Sequence, residues 1–275
     1  MNYLGKLLFI FVIMFSITSL ILAENKVKIE HGVKVGLNTS TVLVSLSDYN
    51  SSGYLENYTE YKFNTGFNAG YFLEIALSKK LSFQPEIALS IKGMRSNSYI
   101  SEQRPASSGY NMRELNATSK ITSYYIELPL YIKTYFYFGE SRKIIAGIGP
   151  FFAYGIGGNM EAKLKLSAPY GYWTGSKKIF KEDKINFNNS TFVNDGMVGF
   201  NAERYINEPY WHKSIKRIDG GISSFVGYDF QNNLFVTTVC NWGIKNILNS
   251  FETGNDRVDS RINNLTFSIS AGYKF

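Results

Sequence analysis

The chain runs to 275 residues, with 20 Tyr, 21 Phe, a single Cys and a net charge of +7. One cysteine, Cys240, excludes an intramolecular disulfide framework. The basic excess is diffuse. The lysines of 177–184 stand beside Glu182 and Asp183 and read as a solvated loop, so no nucleic-acid partner is expected.

Residues 1–23 read as a secretory signal peptide. Lys6 supplies the positive start, Leu7 to Leu22 is almost wholly apolar, and Ala23 precedes charged Glu24. Ile21 stands where a second small residue is usual, which keeps a retained membrane anchor as the alternative. No later apolar stretch is long enough for a spanning helix. Residues 24–275 then form one exported domain, and their aromatic content suits sheets and membrane interfaces.

Eight segments alternate with a period of two, the mark of strands. The first, 31–44, sets Val33, Val35 and Leu37 against Lys34, Gly36 and Asn38. A polar loop, 45–64, leads to the second, 65–77, where Phe67, Ala69, Tyr71, Leu73 and Ile75 oppose Asn68, Gly70 and Glu74. The third, 81–93, is the cleanest: Leu81, Phe83, Ile87, Leu89 and Ile91 against Ser82, Gln84, Glu86, Ser90 and Lys92. Pro85, and Pro129 in the next strand, each remove a ladder donor and are expected at a bulge or near a rim.

A second polar loop, 94–119, precedes a hairpin over 124–157 that turns near Gly139 and Glu140. Its first arm sets Tyr124, Ile126, Leu128, Leu130 and Ile132 against Glu127, Tyr131 and Lys133. Its second sets Ile144, Ile148, Phe152, Tyr154 and Ile156 against Gly147, Gly149, Ala153 and Gly155. Both arms exceed the usual soluble strand and suit a tilted crossing of a bilayer. The longest excursion, 159–215, follows, and its length allows short strands that extend the sheet beyond the membrane. The last three strands are 216–230, 234–247 and a terminal one that ends on Phe275. Asp229 and Lys245 fall on polar parity, and Cys240 on apolar parity.

Connection lengths alternate short and long, as in an up-and-down barrel with short turns on one rim and long loops on the other. The fold expected is all-β: an eight-stranded antiparallel up-and-down transmembrane β-barrel with long extracellular loops, embedded in outer-membrane lipid as a monomer. A soluble exported barrel or sandwich would also alternate, with its apolar residues inside. Lipid is preferred outside because the opposite parity is crowded with charge and small residues. An interior charge network of Glu74, Glu86, Lys92, Glu127, Lys133, Asp229 and Lys245 is expected, with Lys34 on the same parity. It reads as a salt-bridged plug, with a polar conduit as the lesser reading.

No nucleotide loop, cysteine cluster or HExxH pattern occurs, and no catalytic residue, cofactor or metal ligand is assigned. His31 and His212 are the only histidines, and nothing places either beside a serine and Asp195 or Asp219 as a hydrolase would need. Aromatics on the long-loop side read as a girdle near strand ends, while Tyr172 and Trp173 in mid-loop are the candidates for a contact surface.

Three motifs in order add to this pattern: Gln84-Pro85-Glu86, Glu127-Leu128-Pro129 and Ala146-Gly147-Ile148-Gly149-Pro150. With the strands around them, from 32–38 to 265–275, the chain resembles the PorT-family outer-membrane β-barrel proteins of the Bacteroidota. The resemblance covers all eight strands and leaves the long loops unmatched. It implies a barrel in a Gram-negative outer membrane, a family without catalytic residues to carry over, and envelope or secretion proteins as partners. A structural or partner-binding barrel is the leading expectation. An accessory of the type IX secretion and gliding machinery comes second, and a narrow pore or outer-membrane hydrolase third.

Overall fold

The computed structural model describes residues 28–45, 55–106, 109–138, 142–170, 173–185, 187, 215–230, 232–247, 251–253, 256–258 and 261–275. Residues 1–23, expected to be a signal peptide, and Gly139, Glu140, Tyr172 and His212 lie outside the described residues.

The strands are β1 (Ile29–Ser45), β2 (Leu55–Ala76), β3 (Leu81–Ala106), β4 (Gly109–Phe138), β5 (Arg142–Tyr170) and β6 (Trp173–Lys184). They continue with β7 (Ile218–Asp229), β8 (Leu234–Gly243), the short pair β9 (Phe251–Thr253) and β10 (Asp256–Val258), and β11 (Arg261–Lys274). Each of β1 to β5 pairs antiparallel with the next, β5 continues to β7, and β7 pairs with β8. β8 then pairs with β11, and β11 returns to β1 with Val33 opposite Tyr273. Eight strands therefore close into an up-and-down ring, and closure leaves no edge in the wall.

The apolar parity faces outward. Val35, Leu37, Ile87, Leu89, Ile148, Phe152, Val226 and Ile269 are all exposed, while Lys34, Glu86, Lys92, Glu127 and Ser223 on the other parity are buried. Only a bilayer makes that arrangement favourable. In water it would expose a continuous apolar belt and bury charge without need. Cys240 lies on the outward parity between Thr238 and exposed Trp242.

Two stretches expected to be loops carry strand. β2 begins at Leu55 inside the expected loop 45–64, and β3 and β4 run through 94–119 with only 107–108 undescribed between them. In the long excursion, β5 runs on to Tyr170 and β6 spans Trp173–Lys184, strands beyond the membrane of the kind its length allowed. Above the apolar belt the order is β2–β3–β4–β5–β6, a blade continuous with one side of the wall. β4, at 30 residues, is roughly 100 Å of strand, against about 9–11 residues needed to cross. β7 and β8, of 12 and 10 residues, hardly clear the membrane.

Bulges mark the place where wall becomes blade. The β2–β3 register slips between Phe63 and Asn68, and the β4–β5 register slips at Tyr124 and Tyr125. Both slips lie at the height of Ile91 and Gly93. The prolines are not at bulges. The β3–β4 ladder drops out at Pro129, between the Pro85–Leu130 and Ala88–Glu127 pairs, and the β2–β3 ladder drops out at Pro85, between the Phe72–Glu86 and Ile75–Phe83 pairs. Each proline therefore interrupts the seam with the preceding strand for two residues without shifting it.

Candidate functional site

Among the described residues, buried ionisable groups converge in the lumen, and each arrives because its strand's polar parity points inward. Nearest the short-turn rim, Lys133 Nζ on β4 lies 2.7 Å from Glu74 Oε2 on β2. Lys274 Nζ on β11 lies 3.6 Å from the same carboxylate oxygen, 2.5 Å from Asp229 Oδ2 on β7, and 3.9 Å from Glu30. Ser82 donates to the other oxygen of Glu74 at 3.1 Å. This chain of contacts ties β4, β2, β11 and β7 together through the middle of the ring.

A ring layer follows. Tyr131 meets Phe225 edge-on at 4.8 Å, and Phe72 meets Phe235 edge-on at 5.4 Å. The rings fit because each lies over a glycine beside it in the ladder: a Cβ on Gly147 would strike the Phe225 ring, and one on Gly272 the Phe235 ring. At mid-height Lys34 Nζ on β1 reaches Glu86 on β3 at 2.8 Å. Lys92 on β3 pairs with Glu127 on β4 and stands 5.0 Å from the Phe151 ring centre. Asn241 on β8 donates to Glu127 at 3.5 Å, accepts from Ser223 at 2.5 Å, and Ser223 pairs with the Tyr131 hydroxyl at 2.6 Å. That chain also crosses the lumen, from β4 to β8.

Toward the blade, Asn68 donates to Asn38 at 2.6 Å and Asn38 to Ser90 at 3.1 Å. Asp219, buried, accepts from Asn264 at 2.8 Å. The mouth is closed by an apolar cluster of Ile121, Tyr125, Phe151, Ala153, Met160, Ile185 and Phe187. Ile185 and Phe187 follow β6 directly, and the Ile185 N–H donates to the Gly158 carbonyl at 2.8 Å, one rung beyond the Asn159–Lys184 pair of the β5–β6 ladder.

The residues named from sequence therefore divide. Glu74 and Lys133 join one another and Asp229 through Lys274, whereas Glu86 pairs with Lys34 and Lys92 with Glu127. Lys245 does not belong. β8 ends at Gly243, the N–H groups of Ile244 and Lys245 both turn to the Gly220 carbonyl, and Lys245 is exposed in the bend that results. Lys274, Asp219 and the Phe187 cap were missed. Lys274 was visible as the last polar-parity residue of the terminal strand, whereas Phe187 lies in a stretch with no period to read.

His31, at the short-turn rim, stacks on the Phe275 ring at 5.2 Å and lies 6.0 Å from that of Tyr71. Among the described residues no group of three or more His, Cys, Asp or Glu is placed to hold a metal ion.

A family model described as "Outer membrane protein beta-barrel domain" matches residues 23–249. The chain belongs to this family. It is an outer-membrane β-barrel protein, in keeping with the closed ring and its apolar outer face. Comparison with curated proteins finds no match. Among solved structures it is similar to Ail, the attachment invasion locus protein of Yersinia pestis, at 12% identity and a TM-score of 0.31, covering 90% of this chain and 99% of that one. It is also similar to OprG of Pseudomonas aeruginosa, at 11% identity and a TM-score of 0.39, covering 90% and 95%. Neisserial surface protein A is a third, at 9% identity and a TM-score of 0.31, covering 89% and 97%.

Proposed function

We propose that this barrel is a non-enzymatic, non-conducting anchor that holds its blade outside the cell for contact with a protein partner. The observation that carries the reading is the Lys133–Glu74–Lys274–Asp229 chain, which spans the lumen from β4 to β7. An eight-stranded ring has room for side chains and little else, and here charged groups and rings take that room. Ions passing through would have to break pairs that are costly to leave half-made.

The blade supplies the contact. Its outer edges are the β2 segment below Asn64, which pairs only with β3, and β6, which pairs only with β5 among the described residues. Open edges of this kind accept an added strand. Short turns on the periplasmic rim and long strands outside follow the asymmetry general to such barrels. Trp173 opens β6, which puts it on the blade tip.

Planar-bilayer recording tests the sealed lumen. The purified full chain is expected to give no unitary conductance steps, and steady steps that disappear in a Lys133→Trp variant would overturn the reading. A PorT-like role in type IX secretion is the narrower version of this proposal. The three strand motifs support it, and co-precipitation with envelope secretion proteins through the blade would distinguish it from a general surface anchor.

A further inference from the structure

The outer wall carries two features on the same strands, at two heights. The lower is a groove of about 470 Å³ in the apolar belt, lined by Val33, Val35, Ala69, Ile87, Leu89 and Ile126. It exists because Ala69 is small where its outward neighbours are large, and Gly70 and Ala88 form part of the lining. The upper feature is a row of cations. Lys62 on β2 pairs in register with Arg95 on β3, and Arg95 with Lys120 on β4. Residues opposite one another in a ladder share a face. That face is the outward one, since Arg95 is exposed while Ser96 and Ser119, on the other parity, are buried.

The separation of the two is what joins them. Arg95 stands six residues beyond Leu89 on β3, and Lys120 six beyond Ile126 on β4. At about 3.3 Å per residue and a tilt near 40°, that is roughly 15 Å along the membrane normal. Half of a hydrocarbon core of about 30 Å is the same length. A lipid whose chain lies in the groove therefore brings its headgroup to the cation row. Asn64, buried, accepts from Arg95 Nε at 3.3 Å and holds one edge of the guanidinium. Arginine so held suits a phosphate, which it can meet with two parallel N–H bonds.

Two carboxylates already lie close: Glu60 is 2.9 Å from Lys62, and Glu161 is 3.7 Å from Lys120. Both pairs are half-exposed, so they hold weakly and exchange for a better anion. A further cation sits on the same wall nearer the belt, where Arg217 donates to the Tyr154 hydroxyl at 2.9 Å and lies 5.3 Å from its ring centre.

We propose that β2, β3 and β4 together bind one phosphorylated membrane lipid, with an acyl chain in the groove at Ala69 and its phosphate on Lys62, Arg95 and Lys120. The proposal concerns the outward face where wall meets blade; Lys62 also lies on the β2 edge offered above for partner contact, whereas Arg95 and Lys120 lie on interior strands.

Native mass spectrometry of the full chain in mild detergent tests it, with bis-phosphorylated lipid A, the same lipid dephosphorylated, and phosphatidylcholine as probes. The wild type is expected to retain one bis-phosphorylated molecule and to prefer it at least tenfold over the other two. K62Q/R95Q/K120Q should lose that preference. Ala69→Phe, which fills the groove and leaves the cations intact, should reduce retention at least fivefold. K163Q/K165Q, on the same face farther from the membrane, should change it less than twofold. Heat-modifiable migration verifies that each variant is folded. Equal retention by wild type and the triple variant would overturn the proposal. So would displacement of the lipid by soluble polyphosphate with no dependence on Ala69, which would make the row a site for a soluble polyanion.

Discussion

The lower and upper halves of β4 belong to one strand and obey different rules. From Tyr124 to Phe136 the outward residues are apolar except Thr134, and the inward ones include Glu127, Tyr131 and Lys133, all buried. From Asn116 to Lys120 the outward residues are Asn, Thr and Lys, and the inward ones, Ala117 and Ser119, are small and buried. The strand continues from one to the other, keeping its register with β3 and slipping by one residue against β5 at Tyr124 and Tyr125. What changes is the solvent. Lipid forces polar groups to the lumen, where they must pair, while water imposes no such sorting on the blade. The wall should therefore be sensitive to charge and the blade tolerant of it.

The largest effect is expected inside the wall. Lys133→Ala leaves Glu74 with Lys274, 3.6 Å away, as its remaining cation, which Asp229 holds at 2.5 Å. Removing one partner of a buried pair costs about 3–5 kcal/mol, and a drop of that order is expected in urea unfolding of the reconstituted barrel. Lys133→Met combined with Glu74→Gln, which removes both charges of the pair, should recover more than half of it. A single variant within about 0.5 kcal/mol of wild type would show that the lumen admits water freely.

The outer face gives the second contrast. Ile87 and Asn97 share a strand and a parity, but Ile87 is exposed within the apolar belt and Asn97 lies beyond the bulges. Ile87→Lys should cost about 2–4 kcal/mol, the range for a cation near the bilayer midplane. Asn97→Lys should stay within about 0.5 kcal/mol. Equal costs at the two sites would remove the reason for placing the membrane boundary at the row of bulges.

The same contrast explains what could be read from sequence. The eight wall strands were legible because lipid on one side and a narrow lumen on the other impose period two on each of them. Strand content in 55–64 and 94–119 was not legible, because neither face of the blade is sorted by lipid, and Ser, Thr, Asn and Lys there look like a loop; in the long excursion only its length pointed to short strands, and their bounds were not legible. Lys245 was misplaced by extending the parity of β8 past Gly243, where the backbone bends. Pro85 and Pro129 were expected at bulges or near a rim, whereas finding that each interrupts the seam with the strand before it requires the β2–β3 and β3–β4 registers. The Lys274 contacts needed the closure of β11 on β1, and the Ile185–Phe187 cap needed the β5–β6 pairing, which carries the chain back to the mouth.

The smallest expected effect tests whether burial alone, without lipid, makes a polar contact matter. Ser96 and Ser119 face one another across β3 and β4 in the blade, both buried, with hydroxyls 2.6 Å apart. Their counterpart in the wall is the Tyr131–Ser223–Asn241 chain, which ends on charged Glu127. Replacing both partners of a neutral hydrogen bond with apolar groups of like shape is nearly neutral, whereas leaving one buried partner unmade costs about 1–3 kcal/mol. Ser96→Ala with Ser119→Ala should therefore leave the heat-modifiable transition of the barrel unmoved and alter only the rate at which protease cuts the blade. Ser223→Ala strands both the Tyr131 hydroxyl and Asn241, and should lower the same transition measurably. If the blade pair shifted the barrel transition as much as Ser223→Ala does, blade and wall would unfold as one unit and the boundary at the bulges would not be an energetic one.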